Sequence, residues 1–226
     1  MKISNFKLGI GLPLTWTHVH AAFLDSIIEM DKIPFTYFRR DNGPLDALRN
    51  QIVIDALYEG CSHLIMLDCD MTYHPKTITT LLAHNLPIVG ALCYRRYPPF
   101  DPLIYRRIPN NGYRCNQIKL NGDEGLINID RTGTGCLMFK MDVFEKIPRP
   151  WFSFKERILD EGPIGEDYRF CDRARDAGFE IFVDPSIPAD HLITMKVDKN
   201  FSAIYGRLEK IKQDLIEKRS GEEKNG

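Results

Sequence analysis

The chain has 226 residues, with 30 Lys and Arg against 31 Asp and Glu and a formal net charge of −1. So even a balance gives no support to a general nucleic-acid grip, and no stretch approaches the ~20 apolar residues of a bilayer-spanning helix. The length suits one large domain with a substantial core. Six cysteines are scattered at 61, 69, 93, 115, 136 and 171 with no C-x-x-C pair. They read as buried thiols in a reducing, cytoplasmic setting, and the N-terminus lacks the apolar segment of a secretory signal.

In chain order, Lys7 to Leu14 is a strand candidate, closed by Pro13 and a polar turn through Thr15. His18 to Met30 has helical spacing, and Phe35 to Phe38 is a short second strand. Asp41-Asn42-Gly43-Pro44 is turn chemistry, with Pro44 suited to the first turn of a helix that runs to Gly60. His63 to Leu67 is an apolar strand, a helix is expected from Pro75 to His84, and Pro87 to Cys93 is another buried strand. Strands alternating with helices in this way predict an α/β fold: a mostly parallel central sheet flanked by helices.

The rhythm changes after residue 94. Residues 95–125 are rich in Arg, Pro, Asn, Gly and Tyr, with Arg95, Arg96, Arg106 and Arg107 forming a candidate basic patch. Short strands are expected near Ile104, Ile118 and Leu126–Ile129. A glycine-bearing loop from Arg131 to Gly135 precedes an apolar strand, Cys136–Phe139, and a short helix, Asp142–Ile147. A helix from Glu166 to Ala177 stops at Gly178, and Glu180–Val183 is a last strand. From Asn200 the spacing of Phe201, Ile204, Tyr205, Leu208, Ile211 and Leu215 predicts an amphipathic helix, followed by a charged tail from Glu217 to Gly226. Its apolar face suits packing on the domain, homodimerisation or a membrane surface. The expected division is 1–195, with halves 1–94 and 95–195, and 196–226.

Chemistry concentrates in three segments. His63–Leu67 ends abruptly in Asp68-Cys69-Asp70, and open α/β sheets bind ligands beyond the carboxyl ends of their strands. Two carboxylates there repel unless a divalent cation on a diphosphate, or a basic side chain, lies between them. A solvated loop is the structural alternative. Gly165-Glu166-Asp167 heads a helix, where acidic residues are favoured by the dipole and a carboxylate can also serve as a base. Asp190-His191 follows the last strand, and neutral imidazole is a common metal ligand.

Taken in order, the strand ending in Asp68-x-Asp70, Gly133-Thr134-Gly135 before Cys136–Phe139, Gly165-Glu166-Asp167 and Asp190-His191 resemble a GT-A glycosyltransferase of the family-2-like kind. Leu45–Asn50 and Tyr94-Arg95-Arg96 resemble that group as well, and the likeness covers residues 7–193. It implies a GT-A-like single domain that transfers a sugar from a nucleotide-sugar (a UDP-sugar or GDP-sugar) to an acceptor hydroxyl with Mn²⁺ or Mg²⁺. By that resemblance Asp70 and His191 are metal ligands, and Asp68 reaches the ribose or shares the metal. Pro13, Thr15, Asp46 and Arg49 match positions at the nucleotide end. Asp167 matches the base of inverting members, with Glu166 beside it placing the acceptor. Gly133–Gly135 would floor the acceptor site, and Trp151, Phe152 and Phe154 offer apolar faces for a sugar ring, with core packing as their alternative.

Rival readings are a sugar-nucleotide pyrophosphorylase, a metal-dependent phosphohydrolase and a non-catalytic nucleotide-sugar-binding module. The first normally has a glycine-rich basic loop after its first strand, and Gly11–Thr15 carries no lysine or arginine. A phosphohydrolase wants more His and Asp ligands than the sequence places. The inverting course is slightly favoured.

Overall fold

Short apolar runs and amphipathic runs alternate along the chain, and each settles into the element its period dictates. The computed structural model describes residues 6–15, 18–122, 124–154 and 164–222, with side chains as far as 214. The last residues of the charged tail, 223–226, lie outside the described residues. The elements are β1 (Leu8–Leu14), α1 (Ala21–Glu29), β2 (Phe35–Asp41), α2 (Leu45–Tyr58), β3 (His63–Leu67), β4 (Met71–Tyr73), α3 (Thr77–His84) and β5 (Ile88–Cys93). They continue with β6 (Ile104–Arg107), β7 (Cys115–Gln117), β8 (Ile127–Ile129), β9 (Arg131–Thr132), β10 (Cys136–Lys140), α4 (Asp142–Lys146), α5 (Glu166–Asp176), β11 (Ile181–His191) and α6 (Lys199–Glu222).

Among the described residues the main sheet runs β2-β1-β3-β10-β5-β11-β4, with β8 also paired to β11. β1 is parallel to β2 and β3, and β11 is parallel to β5. β10 is antiparallel to both β3 and β5, so those two point the same way. Five strands therefore share one direction, and the mostly parallel sheet expected from the sequence is observed. A smaller antiparallel sheet, β7-β6-β9, carries part of the segment after residue 94.

The period of two explains why β3 is apolar throughout. Leu64 and Met66 enter one core with Ile52, Phe139 and Phe170, while Ile65 and Leu67 enter the other with Ile10, Ile78 and Met138. A strand buried on both faces ends where its residues turn polar, and β3 ends at Asp68 for that reason. Trp151 and Phe152 lie in the first core. The Trp151 indole N–H lies 2.8 Å from the Phe144 carbonyl and 3.0 Å from that of Ile147, and the Phe152 ring stacks on Phe170 at 4.8 Å. Of the three aromatic residues considered for a sugar platform, these two are core; Phe154 alone reaches the cleft described below.

The small sheet is joined to α5 by charge. Asp172, fully buried, accepts hydrogen bonds from Arg131 Nε at 2.8 Å and Nη2 at 2.6 Å, and from Arg107 Nη2 at 3.1 Å. Arg106 turns to the Asn128 side chain at 2.9 Å. The expected basic patch is thus divided, with Arg106 and Arg107 employed structurally.

β4 was not expected from the sequence, being three residues long, and β11 continues well past Val183. A shift in its pairing with β5 between Asp184 and Pro188 lets it run on until His191 pairs with Met71. The described residues divide into one unit that ends at Leu192 and a second that begins at Ile193. In the second, α6 carries Phe201, Ile204, Tyr205, Leu208 and Ile211 at helical spacing. Among the described residues no helix is long and apolar enough to cross a membrane.

Candidate active site

The antiparallel pairing of β3 with β10 continues into the loops that leave the sheet. Cys136 pairs with Leu67, and one step further the Asp68 N–H donates to the Gly135 carbonyl at 3.0 Å. The Asp68 corner and the Gly133–Gly135 loop are thereby fixed side by side. Tyr73 reinforces them: its hydroxyl lies 2.7 Å from the Asp68 carbonyl oxygen and 2.8 Å from that of Gly135, so one proton is shared between two acceptors. A β-carbon on Gly135 would lie 2.5 Å from Met71 Sδ and 3.2 Å from Asp68 Oδ2, so only glycine fits this contact unshifted.

A cleft of about 690 Å³ opens here, a usual size for a small-molecule site. Its walls include Arg49 from α2, Asp68 from the end of β3, Arg95 and Arg96 after β5, Gly133–Gly135, Glu166 and Asp167 from α5, and His191 from the end of β11. Four of the segments singled out in the sequence therefore converge. Asp70 joins them through Arg96, which donates to its carboxylate, and through its backbone carbonyl, which accepts the Leu192 N–H at 2.7 Å.

Arg49 organises the floor. It is 2% exposed, and its Nη2 donates to Asp68 Oδ1 at 3.0 Å and Oδ2 at 3.2 Å, while Nε donates to Glu166 Oε1 at 3.2 Å. Burial works against its charge, but Asp68, Glu166 and Asp167 together outweigh burial and raise its pKa. Its third nitrogen, Nη1, is buried and has no hydrogen-bond partner among the described residues; the Thr134 hydroxyl is in the same state. Leaving a buried polar group unpaired costs about 1–3 kcal/mol, and both of these belong to residues that line the cleft.

Asp167 sits in the first turn of α5, where its Oδ1 accepts the Tyr168 N–H at 2.7 Å. The Arg49 guanidinium and that bond favour the carboxylate. Burial, then the neighbouring Glu166, oppose them and prevail, and the Asp167 carboxyl is pushed up to about 7. Gly165, which precedes the pair, has no room for a side chain, since a β-carbon there would lie 2.7 Å from Asp167 Oδ1.

The nucleotide-end residues are placed unevenly. Pro13 is buried in β1 and Thr15 is exposed just after it, near the carboxyl end of the strand beside β3. Asp46 Oδ1 accepts the Ala47 N–H at 2.9 Å in the first turn of α2. Pro13, Thr15 and Asp46 are not cleft-lining residues, whereas Arg49 is. Tyr73 was not singled out in the sequence, and Thr134 only as the middle of the Gly133–Gly135 loop; the polar atoms of both bear directly on the site. Asn50, at the end of the Leu45–Asn50 segment, binds α2 to the segment after α4. Its Oδ1 accepts from Trp151 N at 3.0 Å, and its Nδ2 donates to the Phe152 carbonyl at 2.7 Å.

Asp68, Asp70 and His191 supply two carboxylates and an imidazole, a donor set that suits Mn²⁺ or Mg²⁺. The His191 Nδ1–H donates to the Tyr94 carbonyl, which leaves Nε2 as the nitrogen able to accept, the arrangement of a metal-ligating histidine. Among the described residues, however, no three such side chains close on one point, and the Asp70 carboxylate is engaged by Arg96.

No family model and no curated protein sequence matches the chain. Solved structures do. A197 from STIV superposes with a TM-score of 0.57 at 17% identity, over 84% of this chain and 87% of that one. GalNAc-T7, solved with UDP, GalNAc and Mn²⁺, superposes at 0.56 and 10% identity, over 84% of this chain and 44% of that one. The fold is GT-A-like. S. aureus TarS superposes at 0.50 and 11% identity, over 83% of this chain and 37% of that one. The chain spans under half the length of GalNAc-T7 and of TarS, and at these identities the likeness is one of fold.

Proposed function

We propose that the chain is a metal-dependent glycosyltransferase that moves a sugar from a UDP-sugar or GDP-sugar to an acceptor hydroxyl. The observation that carries this reading is Asp167: a carboxyl pushed up to about 7, on a GT-A-like cleft that is also lined by Asp68 at a strand end. A base with a pKa near the working pH both holds a useful fraction of carboxylate and accepts a proton readily. Asp167 takes the proton of the acceptor hydroxyl, whose oxygen attacks the anomeric carbon as the bond to the diphosphate breaks and the diphosphate leaves with the electron pair. Attack from the side opposite the leaving group inverts that carbon, and a single base near the acceptor suits this course.

In this reading residues 1–94 hold the nucleotide-sugar and 95–195 the acceptor. Pro13, Thr15, Asp46 and Arg49 serve the nucleotide end. Arg49 keeps Asp68 and Glu166 in place, and its unpaired Nη1 offers the donor a hydrogen bond. Asp70, His191 and Asp68 would hold Mn²⁺ or Mg²⁺, which when bound offsets the charge that builds on the leaving diphosphate. Glu166 orients the acceptor beside Asp167, and Phe154, on the cleft wall, supplies an apolar face.

Calorimetric titration of UDP- and GDP-sugars, with and without Mn²⁺, tests the reading. Manganese-dependent binding that Asp70→Ala abolishes, with hydrolysis or transfer of the sugar, supports it. Binding of a nucleotide-sugar with no turnover toward any acceptor or water favours the binding-module alternative, and absence of binding overturns both.

A further inference from the structure

A second cavity, of about 410 Å³, lies next to the cleft and shares Arg95 and Tyr168 with it. Its walls come from the β6–β7 hairpin, β9 and the first turn of α5. The hairpin turn is closed by the Ile108 N–H donating to the Arg114 carbonyl at 2.8 Å, which holds Arg114 at the rim.

The lining is chemically one-sided. Arg95, Arg114 and Arg131 face it with Tyr105, Tyr113 and Tyr168, and no carboxylate is among the described residues that line it. Arg131 is already matched, since Asp172 takes two of its hydrogen bonds. The other two arginines are not. Arg95 Nη2 donates to the Tyr105 hydroxyl at 3.0 Å rather than to an acid. The Arg114 guanidinium has neither a hydrogen bond nor an ion pair with another described residue. Two positive charges unmatched among the described residues therefore face a space large enough for a small ligand.

The tyrosines add flat, amphipathic walls. The Tyr105 and Tyr168 rings meet edge to face at 5.4 Å, and Arg131 lies over the Tyr168 ring at 5.9 Å. Rings held in this way offer apolar faces and hydroxyls together, as a sugar requires. Tyr168 directly follows Asp167 and lines both spaces, so a ligand seated here lies beside the residue next to Asp167.

We propose that this second cavity binds the anionic group, a phosphate or a carboxylate, of an acceptor sugar, and so sets which hydroxyl faces Asp167. The acceptor role rests on the glycosyl-transfer reading; the binding of an anionic sugar does not. Guanidinium groups recognise both anions through charge-assisted, paired hydrogen bonds.

The test is calorimetric titration of glucose 6-phosphate, glucuronate and glucose into the full chain and its Arg114→Ala, Arg114→Lys and Arg95→Met variants, with UDP and GDP, each with Mn²⁺, titrated into the same preparations. Arg114 does not line the cleft, so Arg114→Ala keeps its UDP binding. The expected result is that an anionic sugar binds and glucose does not, with Arg114→Ala and Arg95→Met each weakening it at least about tenfold and Arg114→Lys recovering part. The order of the phosphate and the carboxylate identifies which anion the cavity prefers. Failure of both anionic sugars to bind, or binding to Arg114→Ala and Arg95→Met as tight as to the unsubstituted chain, overturns the proposal. If an anionic sugar binds as expected and neither UDP nor GDP does, the cavity assignment stands and the donor reading falls. If UDP or GDP binds and neither anionic sugar does, the reverse holds.

Discussion

Arg49 Nη2 grips both oxygens of the Asp68 carboxylate, at 3.0 and 3.2 Å, from a position 2% exposed. The same guanidinium holds Glu166 through Nε, so α2, β3 and α5 meet on one buried cation. Replacing it exposes the logic of the site. Arg49→Met leaves two carboxylates without their countercharge, and removing one partner of a buried pair is costly because the other remains. Asp68 retains some access to water, which lowers the cost to about 2–3 kcal/mol. Urea unfolding at pH 7 measures it. Arg49→Met/Glu166→Gln should recover at least about 1 kcal/mol over the single variant, because the stranded buried charge is gone. Equal stability of the single and double variants would refute that coupling.

Asp167 should leave a signature in both rate and stability. Its carboxyl is pushed up to about 7, so between the ordinary carboxylate range and pH 7 the folded chain holds a proton that the unfolded chain has released. The stability this group contributes is full below about pH 4 and is lost as pH rises through about 7. Asp167→Asn removes that loss. The variant should gain roughly 1–2 kcal/mol relative to the unsubstituted chain on going from pH 5 to pH 8. Donor binding should persist, while transfer falls at least about a hundredfold, the usual worth of a positioned base. An unchanged pH dependence of unfolding in Asp167→Asn would remove the raised carboxyl, and unchanged transfer would remove the base.

How much of this was legible beforehand follows from the ranges of the forces involved. β3 announced itself because a strand buried on both faces is apolar at every position, and the Asp68 corner because that run stops abruptly. The α5 start was visible for a similar reason, since Gly165-Glu166-Asp167 combines a helix entry with first-turn acids. Arg107 and Arg106 were misjudged as part of a basic patch. Their hydrogen-bond partners, the Asp172 carboxylate for Arg107 and the Asn128 amide oxygen for Arg106, are 65 and 22 residues away, and no local pattern shows a pairing of that kind. Tyr73 was invisible too, because β4 is only three residues long and its hydroxyl works on backbone carbonyls that carry no sequence signature. Trp151 and Phe152 could not be separated from Phe154 by residue type. What divides them is Asn50, which fastens the backbone of the first two to α2.

Gly135 tests whether the corner must be as close as it is. Gly135→Ala places a methyl group 2.5 Å from Met71 Sδ and 3.2 Å from Asp68 Oδ2. Met71 can swing, but Asp68 is held by Arg49 and its backbone by Tyr73, so the loop itself moves away from the carboxylate. Overpacking of this sort costs about 1–3 kcal/mol, and nucleotide-sugar affinity should fall with it. Gly125→Ala is the control, since a β-carbon there meets nothing within 4 Å. Matching thermal unfolding and matching titrations for the two variants would show that the close approach at Gly135 has no consequence.

Thr134 separates a group kept for binding from one kept for folding. Its hydroxyl is buried on the cleft wall without a partner among the described residues, so in the free protein it is a liability. Thr134→Val keeps the branched shape and removes the unpaired group, and the variant should be more stable by about 1 kcal/mol. The same change should weaken the ligand that completes the hydroxyl's hydrogen bonding, by at least about fivefold in titrations with the donor or the acceptor sugar. Gain of stability with loss of affinity is the pattern of a residue retained for its ligand. If Thr134→Val were instead less stable and bound equally well, the hydroxyl would have a structural partner in solution, and the inference from its isolation would fail.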